Sequence, residues 1–300
     1  MPRPVAITLG DPRGIGPEIV AKALGDPAIA ALGPHVIVGP TGTGIDVDAA
    51  VGAWNGATSS VADAGRLAGL AIERAVAMAQ AGEVSGIVTA PMDKAALLAG
   101  GYDFPGHTEM LASLTGCDVA MMLASDRLRV VLATTHIALR DVPRAVTRDA
   151  ILQAARVTRA GLTEWFGIAE PRIALCALNP HAGDGGRFGT EDDTLLAPAA
   201  REAGLSGPFP ADTVFVRAMR GAFDAVIAPY HDVGMTAIKV ASFGSAVNVT
   251  LGLPFPRTSP DHGTALDIAG RGIADAGSMV AAIRQCAAIV SRRRASSPAA

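Results

Sequence analysis

The sequence predicts an α/β fold built around a largely parallel sheet, and three observations support this prediction. Short β-branched runs alternate with longer Ala-rich stretches along the 300 residues. Half of the residues are hydrophobic and only 18 % are charged, which provides enough apolar side chains to cover both faces of a sheet. The chain contains 34 Gly but only 4 % aromatic residues, and this small-residue composition suits close packing of helices on strands.

The predicted elements follow one another in strand–helix order. The buried strands are Val5–Leu9, His35–Val38, Gly86–Thr89, Val130–Ala133, Arg172–Leu178 and Ala225–Ala228. The helices are Pro17–Leu24, Ala62–Ala81, Asp149–Trp165 and Ser278–Val290, and the first of them opens at a proline, which favours a helix start. We expect Thr41–Thr58 to be irregular or mobile, and the small, polar, basic tail Ser291–Ala300 to be frayed.

Length and composition also exclude several functional classes. Three hundred residues predict one large domain or two intimately joined domains, and no shift in composition marks a boundary between them. A net charge of −3 argues against a nucleic-acid or anionic-membrane partner. Apolar stretches end before about 18 residues, so no membrane span is predicted. Cys117, Cys176 and Cys286 have no disulfide or metal spacing, which indicates reduced thiols in a cytoplasmic protein.

Three histidines are the strongest candidates for a chemical site. His136, His181 and His231 lie 45 and then 50 residues apart, and each follows a predicted strand. A single histidine in such a place is more often a hydrogen-bonded structural residue, but three imidazoles can form a divalent metal site with an open position. Imidazole ligands with no Cys nearby fit Zn²⁺ best. Asp232 is either a carboxylate that supports His231 or a further oxygen ligand, and in the second case Mg²⁺ is an alternative. Co²⁺ is a further alternative.

Three segments near strand ends are candidates for substrate contacts. Gly10–Glu18 follows the first strand; it is not a G-x-G-x-x-G or P-loop sequence, and it forms either a tight turn or the wall of a cleft. Lys94 is either a solvated lysine or a residue that orients a substrate oxygen or carries a proton. His107 and Thr108 precede an apolar helix, where they either cap the helix or bind a phosphate or carboxylate.

The C-terminal third contains a possible anion clamp and a possible nucleotide loop. Lys239, Asn248 and Arg257 are spaced nine residues apart in a segment of low charge, and they are either surface residues or a clamp for phosphate or carboxylate. In Ser259–Gly270 a Gly-Thr turn precedes an apolar helix start, and a nucleotide could lie across such backbone. By spacing alone, this pattern is weak evidence for a nucleotide site.

Taken together, these segments resemble the 4-hydroxythreonine-4-phosphate dehydrogenase family of vitamin B6 synthesis. The matching segments occur in one order over nearly the whole chain, and the part around His262 is also similar to the nucleotide loop of isopropylmalate dehydrogenases. The matches are Gly10–Glu18 (with any residue at 13), Gly106–Glu109, Thr134–His136, Asn179–Gly183, Pro210–Thr213, Tyr230–Asp232, Val247–Pro254 and Asp261–Asp267.

The resemblance implies two α/β domains around a central cleft, with an isopropylmalate dehydrogenase-like fold and a non-Rossmann nucleotide site. The expected domains are 1–135 together with 240–300, and 136–239. It further implies a homodimer with a shared active site, which Asp212 would enter from the neighbouring subunit. The implied roles are metal ligands for His136, His181 and His231; substrate binding for His107, Thr108, Lys239, Asn248 and Arg257; catalysis for Lys94 and Asp212; and NAD or NADP binding for His262, Gly263, Thr264 and Asp267.

The activity implied by the resemblance depends on NAD(P) and a divalent metal. It is the oxidation, with decarboxylation, of 4-phosphooxy-L-threonine to 3-amino-2-oxopropyl phosphate. Departures from the family pattern at Arg13, Ala138 and Val233, and a shorter Thr41–Thr58 region, leave the substrate open. The alternatives are another four-carbon acid phosphate, such as D-erythronate or D-threonate 4-phosphate, and a binding homologue without turnover.

Overall fold

A computed structural model describes residues 3–242 and 245–296 and shows the predicted α/β fold. Its strands are β1 (Val5–Thr8), β2 (His35–Thr41), β3 (Ala49–Ala53), β4 (Ile87–Thr89), β5 (Ala120–Ala124), β6 (Arg129–Leu132), β7 (Ile173–Cys176), β8 (Ser206–Phe209), β9 (Ala225–Ala228), β10 (Val247–Leu251) and β11 (Arg257–Ser259). Its helices are α1 (Gly16–Leu24), α2 (Pro27–Ala30), α3 (Val61–Gln80), α4 (Lys94–Ala99), α5 (His107–Thr115), α6 (Val142–Ala145), α7 (Arg148–Glu164), α8 (Ala197–Ala203), α9 (Ala211–Met219), α10 (His231–Ser242) and α11 (Gly277–Ser296).

The chain divides into two compact units, and the first contains both ends of the sequence. It comprises Met1–Cys117 and Leu253–Ala300, with strand order β3-β2-β1-β4-β11. Every pair in this order is parallel, as expected for apolar strands joined by helices. Helix α3 begins at a reciprocal capping box between Ser60 and Asp63, which satisfies backbone donors at its first turn.

The second unit is Asp118–Gly252, and its sheet is mixed. The strand order is β10-β5-β6-β9-β7-β8, in which β5 runs antiparallel to both neighbours and the remaining pairs are parallel. Its core combines β-branched strand residues such as Val130 and Val226 with the helix residues Val214, Met235 and Ile238. Because β6, β9 and β7 are parallel neighbours, the segments after them emerge at one edge of this sheet.

The structure differs from the sequence-based division in its boundaries. Residues 118–135 and 240–252, which the sequence-based division places in the first domain, lie in the second unit. They do so because β5 pairs with both β10 and β6, and β6 pairs with β9. Two local expectations were also wrong: part of Thr41–Thr58 forms β3, and α11 continues into the tail as far as Ser296. The rest of the tail lies outside the described residues.

Helices in the described ranges are too short or too polar to cross a bilayer.

Candidate active site

The ends of β6 and β9 bring two of the predicted metal ligands together in the second unit. The parallel register pairs Leu132 with Ala228, so the segments that follow leave the sheet side by side. The buried hydroxyl of Thr134 donates a hydrogen bond to the carbonyl of Pro229 at 2.7 Å and fixes the two segments to each other. The rings of His136 and His231 consequently lie 5.4 Å apart, centre to centre, at an interplanar angle of 42°.

His231 has a carboxylate partner that orients its ring. Its Nδ1 lies 2.7 Å from Oδ1 of Asp232, the next residue in α10. A proton shared there leaves the lone pair on Nε2, which is the arrangement found where a carboxylate supports a metal-binding imidazole. The pair of His136 and His231 therefore fits two ligands of one divalent ion, with Asp232 behind the second.

His181 lies in a loop with an unusual backbone. The carboxylate of the buried Asp192 accepts the backbone N–H groups of Leu178 at 2.8 Å and Asn179 at 3.0 Å, which anchors the start of the loop. After Pro180, six consecutive residues have positive φ: His181, Ala182, Gly183, Asp184, Gly185 and Gly186. For each non-glycine residue the left-handed region costs roughly 1–2 kcal/mol.

The ring of His181 contacts Phe188, with 6.2 Å between ring centres. Within residues 3–242 and 245–296, no three His, Cys, Asp or Glu side chains are assembled as a metal site. The structure thus groups His136 with His231 and does not bring His181 to them.

Other predicted residues of the second unit lie near the same strand ends or on neighbouring elements. Asp212 is exposed in the first turn of α9. Burial raises the pKa of the Cys176 thiol to about 12, and the negative charges of Asp192 and Asp212 act in the same direction. Because Cys176 is the last residue of β7, Asp212 lies close to the end of that strand. Lys239 is exposed on α10, and Asn248 lies in β10 with its Oδ1 buried and lacking a hydrogen-bond partner among the described residues.

The first unit holds a separate group of buried polar side chains. Arg257 is only 1 % exposed and donates a hydrogen bond from Nη2 to the Thr89 hydroxyl at 2.5 Å. Burial lowers its pKa to about 9 and the Glu109 carboxylate opposes this shift, so the guanidinium stays charged at neutral pH. A fully buried cation is costly unless an opposite charge offsets it, and the Glu109 carboxylate lies near enough to do so in part.

His107, which is half-buried, and Lys94, which is exposed, lie close to Arg257. Burial lowers the pKa of His107 well below its usual value, and the positive charges of Arg257 and Lys94 lower it further. The ring is therefore neutral at pH 7, and its buried Nε2 has no hydrogen-bond partner among the described residues. A Cβ atom placed on Gly106 would lie 3.7 Å from Lys94 Cε, so the lysine reaches over the start of α5. Thr108 is the second residue of that helix.

The loop Gly10–Glu18 packs directly on the predicted nucleotide loop. The backbone N–H of Ile15 donates to the Thr264 carbonyl at 2.9 Å. A Cβ on Gly14 would lie only 2.9 Å from Thr264 Cβ, so this contact requires glycine. Farther along, His262 Nδ1 lies 3.0 Å from the Gly263 carbonyl, and Asp267 is exposed.

An open cleft of about 600 Å³ adjoins this contact, entirely within the first unit, and its volume is within the range of cofactor sites. Ala269, Gly270 and Gly272 form one part of its lining. The four predicted cofactor residues lie just before that segment, in the loop that packs on Gly14, and are not among the lining residues. Sequence reasoning assigned no role to two other lining residues, Arg13 and Trp54.

Comparison with known proteins decides the family. The model of the family described as pyridoxal phosphate biosynthetic protein PdxA matches residues 41–286. The chain belongs to the PdxA family. A 4-hydroxythreonine-4-phosphate dehydrogenase of Beijerinckia indica subsp. indica is 46 % identical to it, over 92 % of this chain and 92 % of that relative. A relative from Bradyrhizobium diazoefficiens, provisionally named a D-threonate 4-phosphate dehydrogenase, is 44 % identical over 94 % of this chain and 95 % of its own length.

Solved structures agree with the PdxA assignment. The crystal structure of 4-hydroxythreonine-4-phosphate dehydrogenase from Klebsiella pneumoniae has a TM-score of 0.84 to this chain at 38 % identity, covering 96 % of this chain and 99 % of that one. The family resemblance and the isopropylmalate dehydrogenase-like fold class predicted from the sequence are thereby confirmed. In this PdxA member the polar residues form an imidazole pair in the second unit, and in the first unit the buried Arg257 lies near His107 and the exposed Lys94.

Proposed function

We propose that this chain is an NAD(P)-dependent dehydrogenase that oxidises and decarboxylates 4-phosphooxy-L-threonine, yielding 3-amino-2-oxopropyl phosphate. The observation that carries the proposal is the His136–His231 pair with Asp232 behind it, in a chain whose named relatives are dehydrogenases. The carbon bearing the hydroxyl group gives a hydride to the nicotinamide, and the hydroxyl proton passes to a base. The resulting ketone is β to the carboxylate, so CO₂ leaves and a proton takes its place.

The chain's own residues divide this work between binding and proton transfer. Arg257, with the neutral His107 and Thr108 beside it, binds an anionic group of the substrate, and we assign Lys239 and Asn248 to substrate binding as well. We assign the base to Lys94 or Asp212. A divalent metal held by His136 and His231, with His181 as third ligand after a movement of its loop, would polarise the substrate hydroxyl; Zn²⁺ suits imidazole ligands best.

A second substrate is favoured by one comparison. The Bradyrhizobium relative named for D-threonate 4-phosphate is almost as similar to this chain as the relatives named for 4-hydroxythreonine 4-phosphate. D-Threonate 4-phosphate carries a hydroxyl group where the amino acid carries its amino group. The same oxidation and decarboxylation would then yield a dihydroxyacetone phosphate-type ketone.

A substrate panel tests the proposed function directly. Purified protein is incubated with Zn²⁺, NAD or NADP, and each of three phosphorylated acids: 4-phosphooxy-L-threonine, D-threonate 4-phosphate and D-erythronate 4-phosphate. We expect cofactor reduction and equimolar CO₂ with one of them, and almost none with phosphate-free 4-hydroxy-L-threonine. Reduction without CO₂ would contradict the decarboxylation step. Binding of a substrate with no reduction of either cofactor would indicate a homologue without turnover.

We propose further that the enzyme is a cytoplasmic homodimer whose active sites are shared between subunits. Free cysteines at 117, 176 and 286 suit a reducing compartment. The exposed position of Asp212 at the start of α9 leaves its carboxylate available to a neighbouring subunit.

Complementation between subunits tests the shared site. An Asp212→Ala subunit and a His136→Ala subunit should each be inactive alone. After subunit exchange, half of the mixed dimers' sites carry neither lesion, so about a quarter of wild-type activity should return in an equimolar mixture. The control is a mixture of His136→Ala with His231→Ala, two lesions in one imidazole pair, which should stay inactive. Exchange confirmed by mass, with no recovery of activity, would mean that each site is built from one chain.

A further inference from the structure

The cleft of the first unit has a distinct chemical character. Its walls contain much exposed backbone, contributed by Gly44, Gly56, Gly270 and Gly272. Among the described residues that line it, only two are charged, Arg13 and Glu18, and only Trp54 is aromatic. Exposed backbone N–H groups, one cation and one aromatic ring are the features that bind a phosphate and a flat heterocycle.

Arg13 is held rigidly, with part of its guanidinium left for a ligand. Its Nε and Nη2 donate to the buried Asp11 carboxylate at 3.0 and 2.6 Å, and Nη2 also lies 3.5 Å from Asp93. The hydrogen bonds that Arg13 donates to Asp11 raise the pKa of Arg13, so the charge persists at all physiological pH values. In the part of the chain that the structure describes, no acceptor is bonded to Nη1, and the side chain is 20 % exposed.

Trp54 is fixed on the other part of the lining by the edge of the sheet. It follows β3 directly, and its backbone N–H donates to the Thr41 carbonyl at 2.8 Å. Gly42 has a φ of 84°, and a Cβ there would lie 2.3 Å from the Trp54 carbonyl, so this close approach requires glycine. The indole is half-buried and lines the cleft. A side chain held in this way gives a flat ring a place to stack at little entropic cost.

We propose that Arg13 and Trp54 bind the dinucleotide cofactor: Arg13 donates from Nη1 to the pyrophosphate, and Trp54 stacks on one of the two heterocyclic bases. The proposal rests on the dehydrogenase function proposed above. It adds two cofactor-binding residues to the predicted loop at His262–Asp267. The ion pair with Asp11 and Asp93 pre-orients the guanidinium, so little side-chain freedom is lost on binding.

Fluorescence provides a direct test, because the chain has only two tryptophans. Trp165 is 2 % exposed and belongs to the second unit, which makes it the matched control. Titration of the zinc-loaded protein with NADH should quench indole emission and give energy transfer to the dihydronicotinamide. We expect Trp54→Phe to lose most of this signal and to weaken NADH binding several-fold by calorimetry, whereas Trp165→Phe keeps both.

Arg13 is tested by affinity and by its response to salt. Arg13→Gln should raise the Kd for NADH and the KM for the oxidised cofactor about ten-fold, the size of one charge-assisted hydrogen bond, and should flatten the salt dependence of binding. Because that change leaves the buried Asp11 carboxylate without its partner, the double variant Asp11→Asn, Arg13→Gln is measured beside it and should show the same Kd. Arg13→Lys should recover only part of the affinity.

The outcomes separate this inference from the proposed function. If the wild-type protein binds NADH while Trp54→Phe and both Arg13→Gln variants bind it equally well, the cofactor role of these residues is refuted and the dehydrogenase stands. If the wild-type protein binds neither NADH nor NADPH by calorimetry, the proposed function itself fails.

Discussion

Replacing His231 with alanine should remove the bound divalent metal and lower kcat/KM by about 10³-fold or more, because a metal acting on a developing alkoxide is worth several kcal/mol. The wild-type protein should contain about one ion per subunit when measured by elemental analysis. The variant should contain almost none, and metal content is independent of any activity assay. A His231→Ala protein that retains both its metal and its turnover would refute the assignment.

Asp232 allows a graded comparison at the same site. Asp232→Asn removes the charge from the group that accepts or shares the Nδ1 proton of His231 at 2.7 Å. Such supporting carboxylates typically change metal affinity or activity by about 10–100-fold, so this variant should lie between wild type and His231→Ala. Its melting temperature in the presence of chelator should match that of the wild type, since Asp232 is exposed. An unchanged metal Kd would mean that Asp232 is a surface residue with no role in orienting the ring.

Loss of the Arg257 guanidinium should have the second largest effect. Arg257→Lys keeps the charge but loses the planar fork that donates to Thr89 and that we propose donates to a substrate oxygen. We expect kcat/KM to fall roughly 10–100-fold, the equivalent of one charge-assisted hydrogen bond of about 1.5–3 kcal/mol. The loss should be much smaller with 4-hydroxy-L-threonine than with its phosphate ester if Arg257 binds the phosphate. An equal loss with both would assign Arg257 to the carboxylate.

A neutral variant at this position needs a stability control. Arg257→Met leaves the Glu109 carboxylate, whose Oε2 is buried, without the nearby positive charge. The double variant Arg257→Met, Glu109→Gln removes both charges and should recover most of the lost unfolding free energy, measured by denaturant titration. It should not recover substrate binding. Recovery of kcat/KM in the double variant would show that Arg257 only balances Glu109.

The sequence predicted strands well where β-branched side chains formed the run. Val5–Thr8 and Ala225–Ala228 occur where expected, and the ends of the long helices were correct to within one or two residues, except for α11. Val247–Leu251 carries that signal and still escaped prediction, whereas two other missed strands lack it: Ala49–Ala53 is Ala- and Gly-rich, and Ser206–Phe209 contains Gly and Pro. Such segments become strands because a neighbouring strand supplies hydrogen bonds, which local propensity does not report.

The grouping of the site residues could be predicted only in part. Parallel strand order places His136 beside His231, and the spacing of the histidines pointed to that arrangement. The positive φ values at His181, Ala182 and Asp184 could not be predicted, because non-glycine residues rarely adopt them and no residue type signals a run of this kind. Lys94, His107 and Arg257 lie on three separate elements, so their proximity cannot be predicted from their spacing along the chain.

The discontinuity of the first unit has a consequence for the order of folding during synthesis. Strand β4 receives its parallel neighbour β11 only after residue 257 has been made, so the first sheet stays incomplete until then. By contrast, Asp118–Gly252 is continuous, and its first and last strands lie side by side, with Ala120 paired to Leu251. All residues of the second unit are therefore synthesised before the last strand of the first unit, β11, is available. Because domains generally fold as units, we expect the inserted unit to gain protease resistance on the nascent chain first, while Ile87–Thr89 still lacks one strand partner.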